Sequence, residues 1–150
     1  MQLCHDLYSD DLYSDIVKKM RSLDGIRHLG YDDFEISIPA RECTLQWIYV
    51  REPPHGDGIF KVCLNGTELP GEFWGRNLTW CESGKYVALE RSLPQKSELL
   101  LLDTQSGLLH KVAHNSSAQK ITGSSVIFKS YGTSDPHEMD IQELINRPPT

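Results

Sequence analysis

The chain has 150 residues, of which 39% are hydrophobic and 24% charged, and its net charge is −6. This length suits one domain over residues 1–150, with a core that needs no disulfide or metal ion. The composition excludes a disordered chain. The negative charge disfavours nucleic acid and anionic membranes as partners and favours a basic protein.

The first residues and the cysteines bear on cellular location. The start, MQLCHDLYSDD, is acidic and lacks the positive charge and apolar core of a signal peptide. No apolar run reaches the ~20 residues that cross a bilayer. Cys4, Cys43, Cys63 and Cys81 form no C-x-x-C pair, so we expect reduced thiols. A cytoplasmic protein that does not bind membranes is predicted.

A helix is predicted over residues 9–24. Leu12, Ile16 and Met20 recur at the spacing of one helical stripe, and Gly25 follows as a natural C-terminal cap residue. Acidic and aromatic side chains surround the start of this helix, which favours contact with a basic partner. The residues of this N-terminal candidate surface are Tyr8, Asp10, Asp11, Tyr13 and Asp15.

Residues 34–131 have the pattern of a β-rich region. Residues 34–38 alternate apolar and polar side chains, and residues 43–51 are rich in aromatic and β-branched types, so both predict strands. Asn65-Gly66 lies between two further apolar runs. This dipeptide predicts a hairpin with a type I′ turn, because that turn requires positive φ at both positions.

Four short strands in succession are predicted over residues 78–113. Turns containing Gly84 and Gly107, with a Leu-Pro-Gln-Lys connection between them, separate the strands. Strands at this spacing indicate an antiparallel meander. Trp47 and Trp80 lie within predicted strands and are expected in the core.

Two shorter elements complete the predicted fold. Residues 125–131 predict a further strand, and residues 139–145 predict a short strand or a helical turn. The fold class is α+β and mostly antiparallel β. We expect a single curved meander sheet or a small sandwich, with the helix over residues 9–24 packed on it.

The loop over residues 70–77 supplies a second candidate surface, which consists of Phe73, Trp74 and Arg76. Tryptophan and arginine are enriched at the energetic centres of protein interfaces, so this loop is predicted to contact a partner. The alternative is that Trp74 closes one end of the sheet.

Catalytic motifs are missing from the sequence. No phosphate-binding loop and no G-x-S-x-G elbow occur. His55 with Asp57 and His137 with Glu138 are the candidate acid–base or cation-binding pairs. His55 and Asp57 lie in a Pro/Gly loop, which is a poor platform for chemistry that needs fixed geometry. His137 and Glu138 lie in a polar turn that lacks a second set of ligands for a cation. We expect no enzyme activity, no metal and no cofactor.

The predicted meander resembles one blade of the WD-repeat and Tol-type propellers. Trp80, Tyr86 and Ala88 with Asp103 and Gly107 follow the rhythm of those repeats. A closed propeller needs at least about four such blades, and the chain has too few strands for that. The resemblance therefore implies a single blade-like unit at the centre of one sheet.

In size, acidity and lack of catalytic motifs the chain also resembles the immunity proteins of bacterial contact-dependent inhibition and other polymorphic toxin systems. The resemblance implies neutralisation of a cognate toxin domain, such as a basic nuclease, by direct binding. The alternatives are an adaptor or structural module that binds another protein through its sheet, or a small-molecule-binding protein or hydrolase. Loss of association rate with rising salt would favour the first function over the second.

Overall fold

The computed structural model describes residues 25–27, 33–38, 42–52 and 58–147, which form antiparallel strands and a short helix. The predicted helix over residues 9–24 lies outside this part. The elements are β1 (Gly25–Arg27), β2 (Phe34–Ile38), β3 (Cys43–Arg51), β4 (Ile59–Leu64), β5 (Thr67–Glu68), β6 (Glu72–Trp74), β7 (Thr79–Trp80), β8 (Tyr86–Leu93), β9 (Lys96–Asp103), β10 (Leu109–His114), β11 (Ser116–Ile121), β12 (Ser125–Ser130), β13 (His137–Asp140) and α1 (Ile141–Ile145). The mostly antiparallel β character is confirmed.

Ten strands form one large sheet in the order β1-β2-β3-β4-β6-β8-β9-β10, with β5 beside β4 and β7 beside β8. One apolar cluster contains Phe34 and Trp47 from the first half of the sheet and Leu89 and Leu100 from the second. The sheet therefore curves, so that its two halves pack against the same interior. The predicted core positions Trp47 and Trp80 are confirmed, at 0% and 8% exposure.

The aromatic centre of this interior constrains the nearby backbone. Phe60 packs edge-on against Phe34, with ring centroids 5.6 Å apart. A Cβ atom at Gly75 would lie 2.4 Å from the Phe60 ring, and one at Gly58 would lie 2.9 Å from it. Glycine is thus required where the chain leaves β6, and this contact fixes the start of the loop that follows.

The predicted meander over residues 78–113 is confirmed as β7-β8-β9-β10, each strand antiparallel to the next. The predicted hairpin turn is also confirmed, with φ of 50° at Asn65 and 84° at Gly66. The Asn65 side chain also makes a hydrogen bond that the sequence pattern of the turn did not predict. Its Oδ1 accepts from the Thr44 amide at 2.8 Å.

A second, three-stranded sheet, β11-β12-β13, packs on the other face of the large sheet. Its side chains share an apolar cluster with Tyr86 and Ala88 of β8 and with Ile141 and Leu144 of α1. The predicted C-terminal element contains both alternatives, because the strand β13 leads directly into α1. Asp140 caps that helix by accepting from the amides of residues 142 and 143.

No helix within the described residues is long and apolar enough to cross a membrane. Cys43, Cys63 and Cys81 are buried and free. Burial raises the pKa of the Cys43 thiol, and burial together with the charge of Glu68 raises the pKa of the Cys63 thiol. These two thiols therefore favour the protonated state, as expected of small buried apolar groups.

Candidate protein-binding surface around Glu90

Glu90 is a buried carboxylate in the middle of β8, and its side chain is 1% exposed. Side chains alternate along a strand, so Glu90 shares a face with Tyr86 and Ala88, which pack against the small sheet. A charge in such a position requires hydrogen-bond donors that replace water. The chain supplies them from three separate regions.

Four side chains donate to the Glu90 carboxylate. Arg76 Nε and Asn77 Nδ2 bond to Oε1 at 3.0 and 3.3 Å. Ser97 Oγ bonds to Oε2 at 3.1 Å, and the Tyr131 hydroxyl bonds to the same oxygen. These donors come from the β6–β7 loop, from β9 and from the residue that follows β12, so the carboxylate joins the large sheet to the small one.

Backbone geometry places these donors. Asn77 and Asn115 have φ of 55° and 46°, a region that asparagine tolerates better than most residues. Asn115 Oδ1 accepts from the Ser97 amide at 2.9 Å, and the Asn115 carbonyl accepts from the Tyr131 amide at 2.8 Å. Asn115 therefore sets the positions of two of the four donors.

Arg76 lies between two aromatic rings. Its Cζ atom is 4.3 Å from the ring centroid of Trp74 and 6.0 Å from that of Tyr131. Tyr131 is 45% exposed, the Arg76 side chain is 29% exposed, and Trp74 is half-buried. We name these three side chains the aromatic–arginine surface. Arginine over aromatic rings gains a cation–π attraction that fixes its direction.

The Tyr131 hydroxyl is held as a proton donor. Burial of the hydroxyl, followed by its bond to Glu90 and the negative charge of that carboxylate, raises the Tyr131 pKa well above its ordinary value. The phenol therefore stays protonated through the neutral range and keeps its bond to Glu90. The ring, in turn, stays in one position on the surface.

The structure brings Trp74 and Arg76 together, as predicted, but it corrects the prediction for Phe73. The Phe73 side chain is 0% exposed and lies in the core of the large sheet, so it is not available to a partner. Alternation along β6 explains the error, because neighbouring residues of a strand face opposite sides. Tyr131, which no sequence pattern singled out, takes its place, because its ring lies beside Arg76 and its hydroxyl bonds to Glu90.

The structure describes only two of the other predicted residues, His137 and Glu138. Tyr8, Asp10, Asp11 and Asp15 lie outside the described residues, as do His55 and Asp57. His137 stacks on Phe128 with ring centroids 5.4 Å apart, and Glu138 is exposed beside it on β13. The described part of the chain contains no group of three or more His, Cys, Asp or Glu side chains that could hold a metal ion.

A second buried carboxylate, Glu98, lies on the opposite face of the large sheet. Arg91 donates to its Oε1 from Nε at 2.9 Å and from Nη2 at 2.7 Å. Lys111 Nζ and His114 Nε2 lie 3.6 and 3.7 Å from Oε2. Burial raises the Glu98 pKa, but the bond and charge of Arg91, with the charges of Lys111 and His114, outweigh burial and hold the pKa below its ordinary value.

An open cleft of about 570 Å³ lies between residues 81–83 and residues 120–123, where β11 ends. The Cys81 thiol at its edge accepts from the Tyr86 amide at 3.2 Å.

Comparison with known proteins identifies no relative: no protein family, curated protein or solved structure matches this chain. Any function of this chain must therefore be inferred from its own residues, above all from the aromatic–arginine surface anchored on Glu90.

Proposed function

We propose that this chain binds another protein through the aromatic–arginine surface (Trp74, Arg76 and Tyr131) and neutralises it in the manner of an immunity protein. The observation that carries the proposal is the partly exposed Arg76, held between two rings and anchored on the buried Glu90. The class of partner expected is a toxin domain with a basic surface.

The composition and rigidity of this surface support protein binding. Tryptophan, tyrosine and arginine are the residues most enriched at the energetic centres of interfaces. Ordering a mobile side chain on binding costs about 0.5–1.5 kcal/mol. Since Arg76 and Tyr131 are already bonded to Glu90 in the free protein, much of that cost is removed before the partner arrives.

Charge supports a basic partner. The net charge of −6 attracts a cationic protein over distances of about a Debye length, ~8–10 Å at physiological salt. Such attraction raises association rates and disfavours acidic competitors. Neutralisation would then follow from coverage of the partner's active surface, without a chemical reaction.

The experiment uses the product of the gene immediately upstream, because immunity genes follow their toxin genes. Growth protection and the dissociation constant are measured for the wild type and for Tyr131→Ala. We expect affinity to fall by about thirtyfold or more, the effect of losing an interface centre of ~2 kcal/mol. Leu108→Ala is the matched control, because Leu108 and Tyr131 are both 45% exposed and Leu108 lies in the β9–β10 turn.

Circular dichroism of both variants verifies that each remains folded. Equal affinity of the two variants would overturn the role of the aromatic–arginine surface. Absence of any complex would overturn the proposed function itself.

A docking module without a toxin partner is the second candidate. Ile48 and Val50, on β3, are 38% and 36% exposed, and such apolar side chains suit contact with another protein. Binding by an apolar face should keep its association rate as salt rises, whereas binding to a basic toxin should slow.

A further inference from the structure

The two meanders of this fold differ by one strand. The first, β7-β8-β9-β10, has four antiparallel strands, and the second, β11-β12-β13, has three. After β13 the chain turns into α1, whose Ile141 and Leu144 pack into the apolar cluster between the sheets. The helix thus fills the interior and does not extend the second meander.

The two edges of the small sheet have different surroundings. At the β11 edge, the Ala118 carbonyl accepts from Thr79 Oγ1 of the large sheet at 3.2 Å. At the β13 edge, no strand of the described residues pairs beyond β13, and His137, Glu138 and Asp140 are exposed. An open edge presents unpaired backbone donors and acceptors to any extended chain.

This open edge is strongly acidic. Residues 135–143 contain four carboxylates and no lysine or arginine. Within the part of the chain that the structure describes, none of the four forms an ion pair; Asp140 instead caps α1. An extended segment with lysine or arginine at alternate positions would complement both the backbone groups and the charges of such an edge.

The loop over residues 131–136 connects β12 to β13 and begins with Tyr131 of the aromatic–arginine surface. Phe128 pairs with His137 at the end of the β12–β13 hairpin, and Tyr131 lies in the loop that closes this hairpin. One partner could therefore contact Tyr131 and continue along β13.

We propose that β13 is a docking edge at which an extended, basic segment of the partner protein pairs as the fourth strand of the small sheet. This inference rests on the proposed function, because it names how the same partner extends its contact beyond Tyr131. The partner's backbone would bond to β13, and its basic side chains would face Glu138 and its acidic neighbours.

The test is amide hydrogen exchange of the complex with the upstream gene product. Pairing with a new strand protects the outward-facing amides of an edge, so exchange within residues 137–140 should slow by about tenfold or more on binding. Residues of the buried strand β9 act as the internal reference, because their amides are already paired in the free protein.

A charge-reversal experiment tests whether the acidic side chains of this edge attract the partner. The double variant Asp135→Lys with Glu138→Lys should lower the association rate by about tenfold at low salt, as expected when electrostatic steering is removed. Glu42→Lys with Glu52→Lys is the matched control: it changes the net charge equally, at exposed sites on either side of β3 in the large sheet, and should lower the rate by clearly less than the double variant at the β13 edge does.

The outcomes separate the two proposals. A complex that depends on Tyr131 but leaves residues 137–140 unprotected overturns the docking edge and leaves the proposed function standing. No complex overturns both. Protection of residues 137–140 without partner, at high concentration of this chain alone, would mean that a second copy occupies the edge, and it would overturn the inference.

Discussion

Glu90 and Glu98 lie on neighbouring strands and are both buried, yet they face opposite sides of the same sheet. Glu98 is directly opposite Arg91 in the β8–β9 ladder, and its other partners lie on the adjacent β10. The partners of Glu90 come from the β6–β7 loop, from β9 and from beyond β12. Glu98 thus stabilises one sheet locally, whereas Glu90 joins two sheets. Only the Glu90 cluster reaches a surface of aromatic side chains.

Removal of the Glu90 carboxylate should reduce the stability of the fold more than removal of the Glu98 carboxylate. Glu90→Ala leaves Arg76, Ser97 and Tyr131 without their acceptor and should reduce the free energy of unfolding by about 3–5 kcal/mol, as for a broken buried ion pair. Glu98→Ala should cost about 1–3 kcal/mol, because Lys111 and His114 are partly exposed and water replaces the acceptor there. Urea unfolding measures both values, and a larger loss for Glu98→Ala would reverse the comparison.

A smaller effect is expected from the Tyr131 hydroxyl. Tyr131→Phe keeps the ring and removes one bond to a charged acceptor, which contributes about 1.5–3 kcal/mol. Because this contribution depends on the Glu90 carboxylate, Tyr131→Phe should reduce the free energy of unfolding less in a Glu90→Gln background than in the wild type. A double-mutant cycle measures the coupling, and a coupling free energy near zero would show that Tyr131 does not depend on the carboxylate.

The stability that Glu98 contributes to the fold should depend on pH, because its pKa is shifted in the folded state. The folded-state pKa of Glu98 lies below its ordinary value of 4.5, so the ionised carboxylate stabilises the fold above that pH. This contribution is lost as pH falls below 4.5 and through the folded-state pKa. The Glu98→Gln variant should therefore have a lower free energy of unfolding than the wild type at pH 7. This difference between the two proteins should become smaller as the pH falls towards 3. A difference that stays constant over this range would contradict the assignment.

The smallest effect should come from the exposed partner of Glu98. Lys111 Nζ lies 3.6 Å from Oε2, and its side chain is 40% exposed, so water and salt screen the pair. Lys111→Ala should cost about 0.2–1 kcal/mol at low salt and less at high salt. Thermal unfolding at two ionic strengths measures the change, and a salt-independent loss would point to packing of the lysine stem instead.

Local patterns predicted much of the sheet but not all of it. The hairpin at Asn65-Gly66 and the meander over residues 78–113 follow from turn chemistry and from apolar runs, both of which act between near neighbours. Strand β11 was not predicted, because the sequence SSAQKI has few apolar or β-branched residues. Its position depends on contact with the large sheet.

The candidate surface was predictable only in part. Trp74 and Arg76 are adjacent in a loop and were selected for their residue types. Tyr131 is 41 positions from Glu90, and no periodicity links two side chains at that distance. Phe73 was assigned to the surface because its strand is three residues long, too short for its alternation to be recognised.

The sequence by itself determined the antiparallel β class, the order of the central strands and the turns between them, because these depend on backbone preferences over a few residues. Only the tertiary structure decided which face of β8 carries a buried charge and which distant side chains satisfy it. A carboxylate withdrawn from water must recruit donors from whatever elements pack nearby. The packing of two sheets selected those elements for Glu90, and it thereby placed Tyr131 beside Arg76.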